Sequence, residues 1–573
     1  MAIDQIALDV LWSRLISTVN EQAAALMRSS FTSIVREAGD LSAGVFDRRG
    51  RMIAQAVTGT PGHINSMATG MIHFLARFPV DTLRPGDVLV TNDPWKTASQ
   101  LNDITVATPV FRGERVVALF ASTCHALDIG GRGLSADSRS VFEEGLFIPI
   151  MKLHDAGRPV EPLLELIRAN VRTPEEVLGD LHSQVVGNAV GGRQLLSFLD
   201  EFGLEDIEAL ADEIIDRSEA AMRARIQALP DGDYPFELTI DGFGEPMVIR
   251  TRIEVRGDQL TVDYAGSSGP VSLGVNVCLN YTRAYTTYGV KCVVSPDVPN
   301  NEGSFRPVTV VAPEGSLLNA RYPVAVAGRH LVGHFLPSAV MGALADLLPD
   351  RVMAPGYDGL WDTHVAGEER KTRRYFSFTW FSAGGTGALV DQDGLSTTSF
   401  PSGIAGVPVE VMETIAPLVV RRRELRPDSG GPGRARGGLG QTMEFEVSSE
   451  GEYLFAGLYE RVRHPAPGLQ GGGPGAAGRI RASNGVAIEP KLSRLVPEGT
   501  VVTLDLPGGG GYGPPFEREP ERVLEDVRQG YVSPERARED YGVAIDRETM
   551  TVRAEETTRL RAAAGPGRPW PSS

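Results

Sequence analysis

The spacing of hydrophobic residues at the start of the chain predicts a long amphipathic helix. From Ile6 to Glu37, apolar side chains recur every three or four residues, which is the period of a helix with one buried face. The pattern is compatible with a single break near Ser29. A second helical region covers residues 160–228, and Thr173-Pro174 within it is a typical helix start.

Short β-branched runs between turn residues predict buried strands in the remainder of the first 230 residues. Three of these runs are DVLVTN, ITVATPVF and VVALFAST. Two further runs, AGVFD and RMIAQA, flank a turn at residues 48–50 and predict a hairpin. Polar side chains between these runs are therefore expected at strand ends.

After Pro230 the hydrophobic period changes to two residues, which is typical of strands with one buried face. A helix is expected inside this region, from Leu331 to Leu348. Glycine clusters between residues 427 and 513 predict turns and loops of close backbone approach. We therefore expect a mixed multidomain α+β fold with three domains. They are an N-terminal helix plus α/β domain that carries a strand-end site (residues 1–230), a β-rich domain (residues 231–415), and a glycine-rich β domain with a C-terminal helical segment (residues 416–573).

The composition excludes several classes of function. With 73 acidic and 56 basic residues the net charge is -17, so a nucleic-acid partner is not expected. The three cysteines have no CxxC spacing, which argues against disulfides and against a cysteine-based zinc site. The chain has neither a basic leader nor an apolar run of about 18 residues, so we expect a cytoplasmic protein without a membrane span. It also lacks the GxxxxGK[ST] phosphate loop, which disfavours a nucleotide site.

Three polar residues at predicted strand ends are the strongest candidates for chemistry. His125 and Asp128 follow a strand in CHALDIGGRG, where a His-x-x-Asp pair can converge on one point and suits Mn, Fe or Zn. Asp103 opens the neighbouring predicted strand and would face the same crevice if the two strands are adjacent. The His-x-x-Asp spacing equally suits a hydrogen-bonded pair that stabilises a turn, and the pattern leaves both interpretations open.

Other polar residues are weaker candidates. Asp40 and Asp93 lie where a polar turn meets an apolar run, and an Asx turn or a helix cap is the favoured explanation of each. His63 lies in a loop from which its side chain can reach a site. His330 and His334 are four residues apart and would share one face of a helix, where a packing role is favoured.

Several long motifs in a fixed order resemble the hydantoinase B family from about residue 4 to about residue 545. They are TNDPW, QLNDITVATPVF, HALDIGGRG, DSRSVFEEGLFIP, PDSGGPGRARGGLG and LPGGGGYGPP. The family includes N-methylhydantoinase and caprolactamase beta subunits, the second half of ATP-dependent 5-oxoprolinase, and subunits of acetone and acetophenone carboxylases.

The resemblance implies a hetero-oligomer with a hydantoinase A type subunit, which binds ATP and phosphorylates a small-molecule substrate. This chain would then hydrolyse the activated cyclic amide, a hydantoin or a lactam. Two alternatives stay open. One is a subunit of an ATP-dependent ketone carboxylase, and the other is a scaffold subunit without chemistry of its own.

The resemblance further implies a divalent metal, Zn, Mn or Fe, acting as a Lewis acid or generating hydroxide. Its expected ligands are Asp40, Asp103, His125 and Asp128. The last three of these are also the expected catalytic residues.

This sequence departs from the family pattern at positions close to those residues. Lys96, Gln100 and Ala126 stand where many members have histidine. Fewer imidazoles predict either a harder, more oxygen-rich metal site or a site that has lost its metal. The segment AVAGRHLVGHF replaces a polar stretch that lacks histidine in many members, so its two histidines are expected in a changed substrate pocket.

Overall fold

The structure is a computed structural model that describes residues 5–564 and residue 570. Its α-helices, in chain order, are α1 (Gln5–Ser29), α2 (Ser33–Arg36), α3 (Pro61–Arg77), α4 (Val141–Glu144), α5 (Glu161–Asn170), α6 (Pro174–Glu201), α7 (Glu208–Gln227), α8 (Leu279–Val294), α9 (Glu302–Phe305), α10 (His330–Gly333), α11 (Leu336–Ala343), α12 (Val409–Ile415), α13 (Pro520–Arg528), α14 (Pro534–Tyr541) and α15 (Ala554–Ala564). Short 3-10 helices lie at Val80–Thr82 and Pro515–Glu517. Within the described ranges, no helix is both long enough and apolar enough to cross a bilayer.

The strands form five sheets. In chain order they are β1 (Leu41–Phe46), β2 (Met52–Gln55), β3 (Val88–Thr91), β4 (Asp103–Arg112), β5 (Arg115–His125), β6 (Met151–Asp155), β7 (Arg158–Pro159), β8 (Gly232–Phe243), β9 (Glu245–Arg256), β10 (Gln259–Asp263), β11 (Val308–Val311), β12 (Trp361–Glu368), β13 (Tyr375–Ser382), β14 (Leu418–Leu425), β15 (Gln441–Val447), β16 (Tyr453–Leu458), β17 (Arg479–Ala482), β18 (Ser493–Val496), β19 (Val501–Asp505), β20 (Ile545–Asp546) and β21 (Thr551–Val552). The sheet orders are β2-β1-β5-β4-β3-β6-β7, β11-β10-β9-β8, β13-β12-β16-β18, β14-β15-β19-β17 and β20-β21. Helices and mainly antiparallel sheets together make the predicted α+β fold.

The chain divides into two compact units that alternate along the sequence. Unit 1 consists of residues 1–235, 251–336 and 402–407, and unit 2 consists of residues 236–250, 337–401 and 408–573. The predicted domains are contiguous segments, whereas these units are not. The division into three domains stays a prediction.

Unit 1 is built around the seven-stranded antiparallel sheet, which is covered by helices on both faces. On one face, side chains of α1 and α6 such as Leu15 and Phe198 pack against Phe120 of β5. On the other face, side chains of α3 such as Met71 pack against Leu119, the neighbouring residue of β5. Successive residues of a strand point to opposite faces, so one strand supplies both cores. Because helices pack against both faces of the sheet, the ends of its strands are held in fixed positions.

Unit 2 combines two packed sheets with glycine-rich segments. Trp380 of β13 meets Phe445 of β15 edge-on, with 5.0 Å between ring centroids, so the two larger sheets share a core. The glycine segments approach one another along their backbones. A Cβ atom on Gly385 would lie 1.8 Å from the carbonyl oxygen of Gly438. Only glycine fits at such a distance, which agrees with the predicted loops of close approach.

The structure agrees with the helix and strand patterns of the N-terminal region and divides one predicted helix. The long first helix occurs as α1 and α2, and the predicted hairpin occurs as β1 and β2 in antiparallel pairing. The helix expected over residues 331–348 is instead two short helices, α10 and α11. Pro337 lies in the first turn of α11, where its missing N–H group breaks the continuous hydrogen-bond pattern.

Candidate functional site

The candidate site lies at one end of the seven-stranded sheet. β4 and β5 pair in antiparallel fashion, with Asp103 directly opposite His125. The two strands are therefore adjacent, which is the condition under which Asp103 was expected to face the same crevice as His125. Asp40 immediately precedes β1, the other neighbour of β5, and its carbonyl oxygen accepts a hydrogen bond of 3.2 Å from the backbone N–H of His125. Three adjacent strands thus bring two carboxylates and one imidazole together.

The buried carboxylate of Asp103 is the centre of this site. Its Oδ1 lies 2.8 Å from Nδ1 of His125, and its Oδ2 lies 3.2 Å from Nε2 of His63. The guanidinium of Arg329 donates a hydrogen bond to the same Oδ2. Burial would raise the pKa of Asp103, but Arg329 and His63 outweigh burial and hold it well below its usual value. Asp103 is therefore an anion at neutral pH, and Nδ1 of His125 donates the hydrogen bond to its Oδ1.

His63 links the two carboxylates of the site. It lies in the first turn of α3, which begins after the N-cap residue Thr60, and its Nδ1 is 3.6 Å from Oδ1 of Asp40. Burial lowers the pKa of His63, but the charges of Asp103 and Asp40 outweigh this effect and raise it. Among the described residues, Oδ1 of Asp40 has no hydrogen-bond donor. A buried acceptor of this kind favours a cationic His63 beside it.

Aromatic rings and two further histidines surround Arg329. Its guanidinium carbon lies 4.6 Å from the ring centroid of Tyr281, a cation–π distance. The rings of Tyr281 and Tyr285 are 4.9 Å apart, and His334 is 4.9 Å from Tyr285. His330 lies 5.5 Å from His334. Burial and the neighbouring His334 lower the pKa of His330 well below its usual value, so this imidazole is neutral at pH 7.

Asp128 makes a separate set of contacts. Its Oδ1 accepts hydrogen bonds from the guanidinium of Arg172 at 2.7 Å and from the backbone N–H of Gly130 at 3.0 Å. Its Oδ2 accepts the backbone N–H of Arg172. These contacts fix the turn that follows His125. They are made with Gly130 and Arg172, so they do not test the expected hydrogen-bonded pair of His125 and Asp128, and the catalytic role of Asp128 stays a prediction.

The arrangement of these side chains does not fit a divalent metal. Both oxygens of Asp103 face nitrogen donors, one of which is the permanently charged guanidinium of Arg329. The oxygens of Asp128 face Arg172. Throughout the described part of the chain, no group of three or more His, Cys, Asp or Glu side chains is placed to hold a metal. Metal ligation by Asp40, Asp103, His125 and Asp128 stays a prediction that this geometry does not support.

The most consequential residue of the site was not predicted from the sequence. Arg329 is 226 positions from Asp103, and no short-range pattern links the two. The available signal was its place in AVAGRHLVGHF, the segment that departs from the family pattern. The sequence pattern places His63 only in a loop, and Tyr281 and Tyr285 belong to no recognisable motif.

Comparison with known proteins finds relatives along almost the whole length of this chain. The family model for Hydantoinase B/oxoprolinase matches residues 4–515. A relative from Pseudomonas sp. (strain NS671), named as the B-type component of a candidate D-/L-hydantoinase, is 30% identical over 98% of this chain and 98% of its own length. The beta chain of caprolactamase from Pseudomonas jessenii is 32% identical over 95% of this chain and 97% of its own length. The crystal structure of ATP-dependent caprolactamase from the same organism has a TM-score of 0.87 at 29% identity and covers 98% of this chain and 100% of that one. The chain therefore belongs to the hydantoinase B/oxoprolinase family.

Proposed function

We propose that this chain is the B-type subunit of an ATP-dependent hydrolase that opens a cyclic amide, either a hydantoin or a lactam. The observation that carries the proposal is the buried Asp103–His125 pair, at the end of a sheet in a chain that aligns along almost its whole length with a caprolactamase subunit. Such a pair orients an imidazole for proton transfer. The cytoplasmic location is part of the same proposal and rests on the sequence.

The proposal includes a partner subunit that handles ATP. Both relatives are named as subunits, so each is one component of an assembly. This chain has no GxxxxGK[ST] phosphate loop of its own. We assign ATP binding and phosphorylation of the amide oxygen to a hydantoinase A type partner. Phosphorylation turns the amide oxygen into a better leaving group and makes the ring carbon more electrophilic.

The residues of this chain would then carry out the hydrolytic half of the reaction. Water adds to the phosphorylated ring carbon, and the C–N bond then breaks to leave an acyl phosphate and an amine, with the protons of the water passing to the ring nitrogen. A second water molecule then hydrolyses the acyl phosphate to the carboxylate and free phosphate. Because Asp103 holds Nδ1–H of His125, Nε2 is the basic nitrogen of that ring and takes the proton from water. The same imidazolium then returns a proton to the ring nitrogen. His63 stays between Asp40 and Asp103 and holds the two carboxylates in place.

The test is coexpression of the chain with an A-type subunit, followed by measurement of ATP hydrolysis with a panel of hydantoins, lactams and ketones. Substrate-stimulated ATP hydrolysis that yields a ring-opened product without bicarbonate supports the proposal. Stimulation that requires bicarbonate would make the chain a carboxylase subunit instead. An A-type subunit that opens the ring without this chain would make the chain a scaffold.

A pair of histidine variants separates chemistry from folding. His125→Asn removes the base and should lower turnover by roughly a hundredfold to ten-thousandfold, which is the usual contribution of general acid–base catalysis. The matched control is His154→Asn, the same change in β6, where the histidine lies outside the site. Full turnover of the His125 variant would reject its assignment as the base.

A further inference from the structure

Arg329 is a buried permanent cation placed where a metal site was expected. Its side chain is 7% exposed and that of its partner Asp103 is fully buried. In addition to its bond to Oδ2 of Asp103, it donates from Nε to the carbonyl oxygen of Ala98 at 3.2 Å. The face of Tyr281 covers it at 4.6 Å. A guanidinium keeps its charge at any physiological pH, so this charge is a fixed property of the site.

The loop that carries Arg329 is held in place by buried polar side chains. One carboxyl oxygen of Glu144 accepts hydrogen bonds from the backbone N–H groups of Val326 at 2.6 Å and Ala327 at 2.7 Å. The side-chain amide of Gln100 donates to the carbonyl oxygen of Ala327. The backbone N–H of Arg329 donates to the carbonyl oxygen of Val326 at 3.0 Å. These contacts place the guanidinium before any substrate arrives, so its position beside Asp103 is built into unit 1.

We propose that Arg329 is the resident cation of this site and replaces a divalent metal at Asp103. A metal would have to bind a carboxylate oxygen at about 2.0–2.2 Å, and Oδ2 of Asp103 already faces both the guanidinium and His63. A divalent ion at that point would meet the permanently charged guanidinium of Arg329 inside a buried site, so like-charge repulsion excludes it. Gln100, at a position where many family members have histidine, supports the arginine loop instead of supplying an imidazole ligand.

The first measurement is the metal content of the full chain, purified without chelators, dialysed against excess Zn²⁺ or Mn²⁺ and freed of unbound ions. The proposal predicts far less than one ion per chain, with the same result for Asp103→Asn. One ion per chain that is lost in Asp103→Asn would overturn it. This readout does not involve turnover, so it is independent of the reaction proposed above.

A second measurement asks whether Arg329 is what excludes the ion. The double variant Gln100→His with Arg329→Asn removes the guanidinium and adds an imidazole at position 100, whose carbonyl oxygen accepts a hydrogen bond from the backbone N–H of Asp103. It should bind one Zn²⁺ or Mn²⁺ per chain and melt at a higher temperature when the metal is added. The matched control, Gln100→His with Arg329→Lys, keeps the positive charge and should stay empty. A folded double variant that binds no metal, or a lysine control that binds as much as the asparagine variant, would overturn the assignment.

Discussion

Replacing Asp103 by asparagine should destabilise unit 1 strongly, because it removes the anion from a buried cluster of donors. In the wild-type chain, this carboxylate faces the guanidinium of Arg329 and the imidazoles of His63 and His125. Asparagine has nearly the same shape but no charge, and its amide group would point N–H donors at these nitrogens. The guanidinium would remain buried without its counter-ion.

The magnitude follows from the burial of both partners. Asp103 is fully buried and Arg329 is 7% exposed, so neither charge gains compensation from water after the change. Removing one partner of a buried ion pair costs about 3–5 kcal/mol. Since every 1.4 kcal/mol is about a factor of ten in an equilibrium constant, opening of this end of the sheet should become roughly a hundred to several thousand times more frequent.

Amide hydrogen exchange of peptides from β4 and β5 measures this opening directly. The control is Asp155→Asn, which removes the carboxylate of an exposed ion pair with Arg84 and should leave exchange in β4 and β5 unchanged. The effect should also depend on pH, because the depressed pKa of Asp103 stabilises the folded chain above the ordinary value of 3.8 and this contribution fades as the pH falls below it. Wild-type exchange rates in the Asp103 variant at neutral pH would refute the description of the cluster.

Two further substitutions test other parts of the structure. Burial raises the pKa of Glu144 from 4.5 to about 8, so folding favours the protonated acid and wild-type stability should fall as the pH rises between these values. Glu144→Gln should remove this decline, so the free energy of unfolding of the variant relative to wild type, measured in urea, should rise over that pH range. A difference in the free energy of unfolding that stays constant with pH would contradict the raised pKa. Gly385→Ala should destabilise unit 2 by about 3 kcal/mol or more, because its Cβ would overlap the carbonyl oxygen of Gly438. Gly269→Ala, which has no described heavy atom within 4 Å of the added Cβ, is the control, and equal melting temperatures for the two variants would contradict the close approach.

The sequence was most informative where the relevant contacts are local or cross adjacent strands. Hydrophobic period and turn residues predicted β4 and β5, which are joined by a tight turn, and their pairing then places Asp103 beside His125. Asp40 joins them because β1 is the other neighbour of β5. Secondary-structure patterns therefore predicted the strand ends that carry these residues, whereas the pairing of β1 with β5, which brings in Asp40, comes from the fold.

The sequence was least informative where a contact depends on the tertiary fold. Arg329 reaches Asp103 across 226 positions, and Arg172 reaches Asp128 across 44. Both arginines form ion pairs with carboxylates that the motif predicts as metal ligands. A buried carboxylate needs a partner, and the packed fold determines whether that partner is an arginine or a metal ion. The sequence motif does not contain this information.

The proposed function assigns to this chain the hydrolytic half of an ATP-dependent ring opening. This assignment can be tested by running the reaction of the assembled complex in isotopically labelled water and following the label into the carboxylate of the ring-opened product, with and without labelled bicarbonate. We expect labelled oxygen from water in that carboxylate, no carbon from bicarbonate, and loss of the product with His125→Asn. Carbon from bicarbonate in the product, or an unchanged yield with His125→Asn, would contradict the assignment.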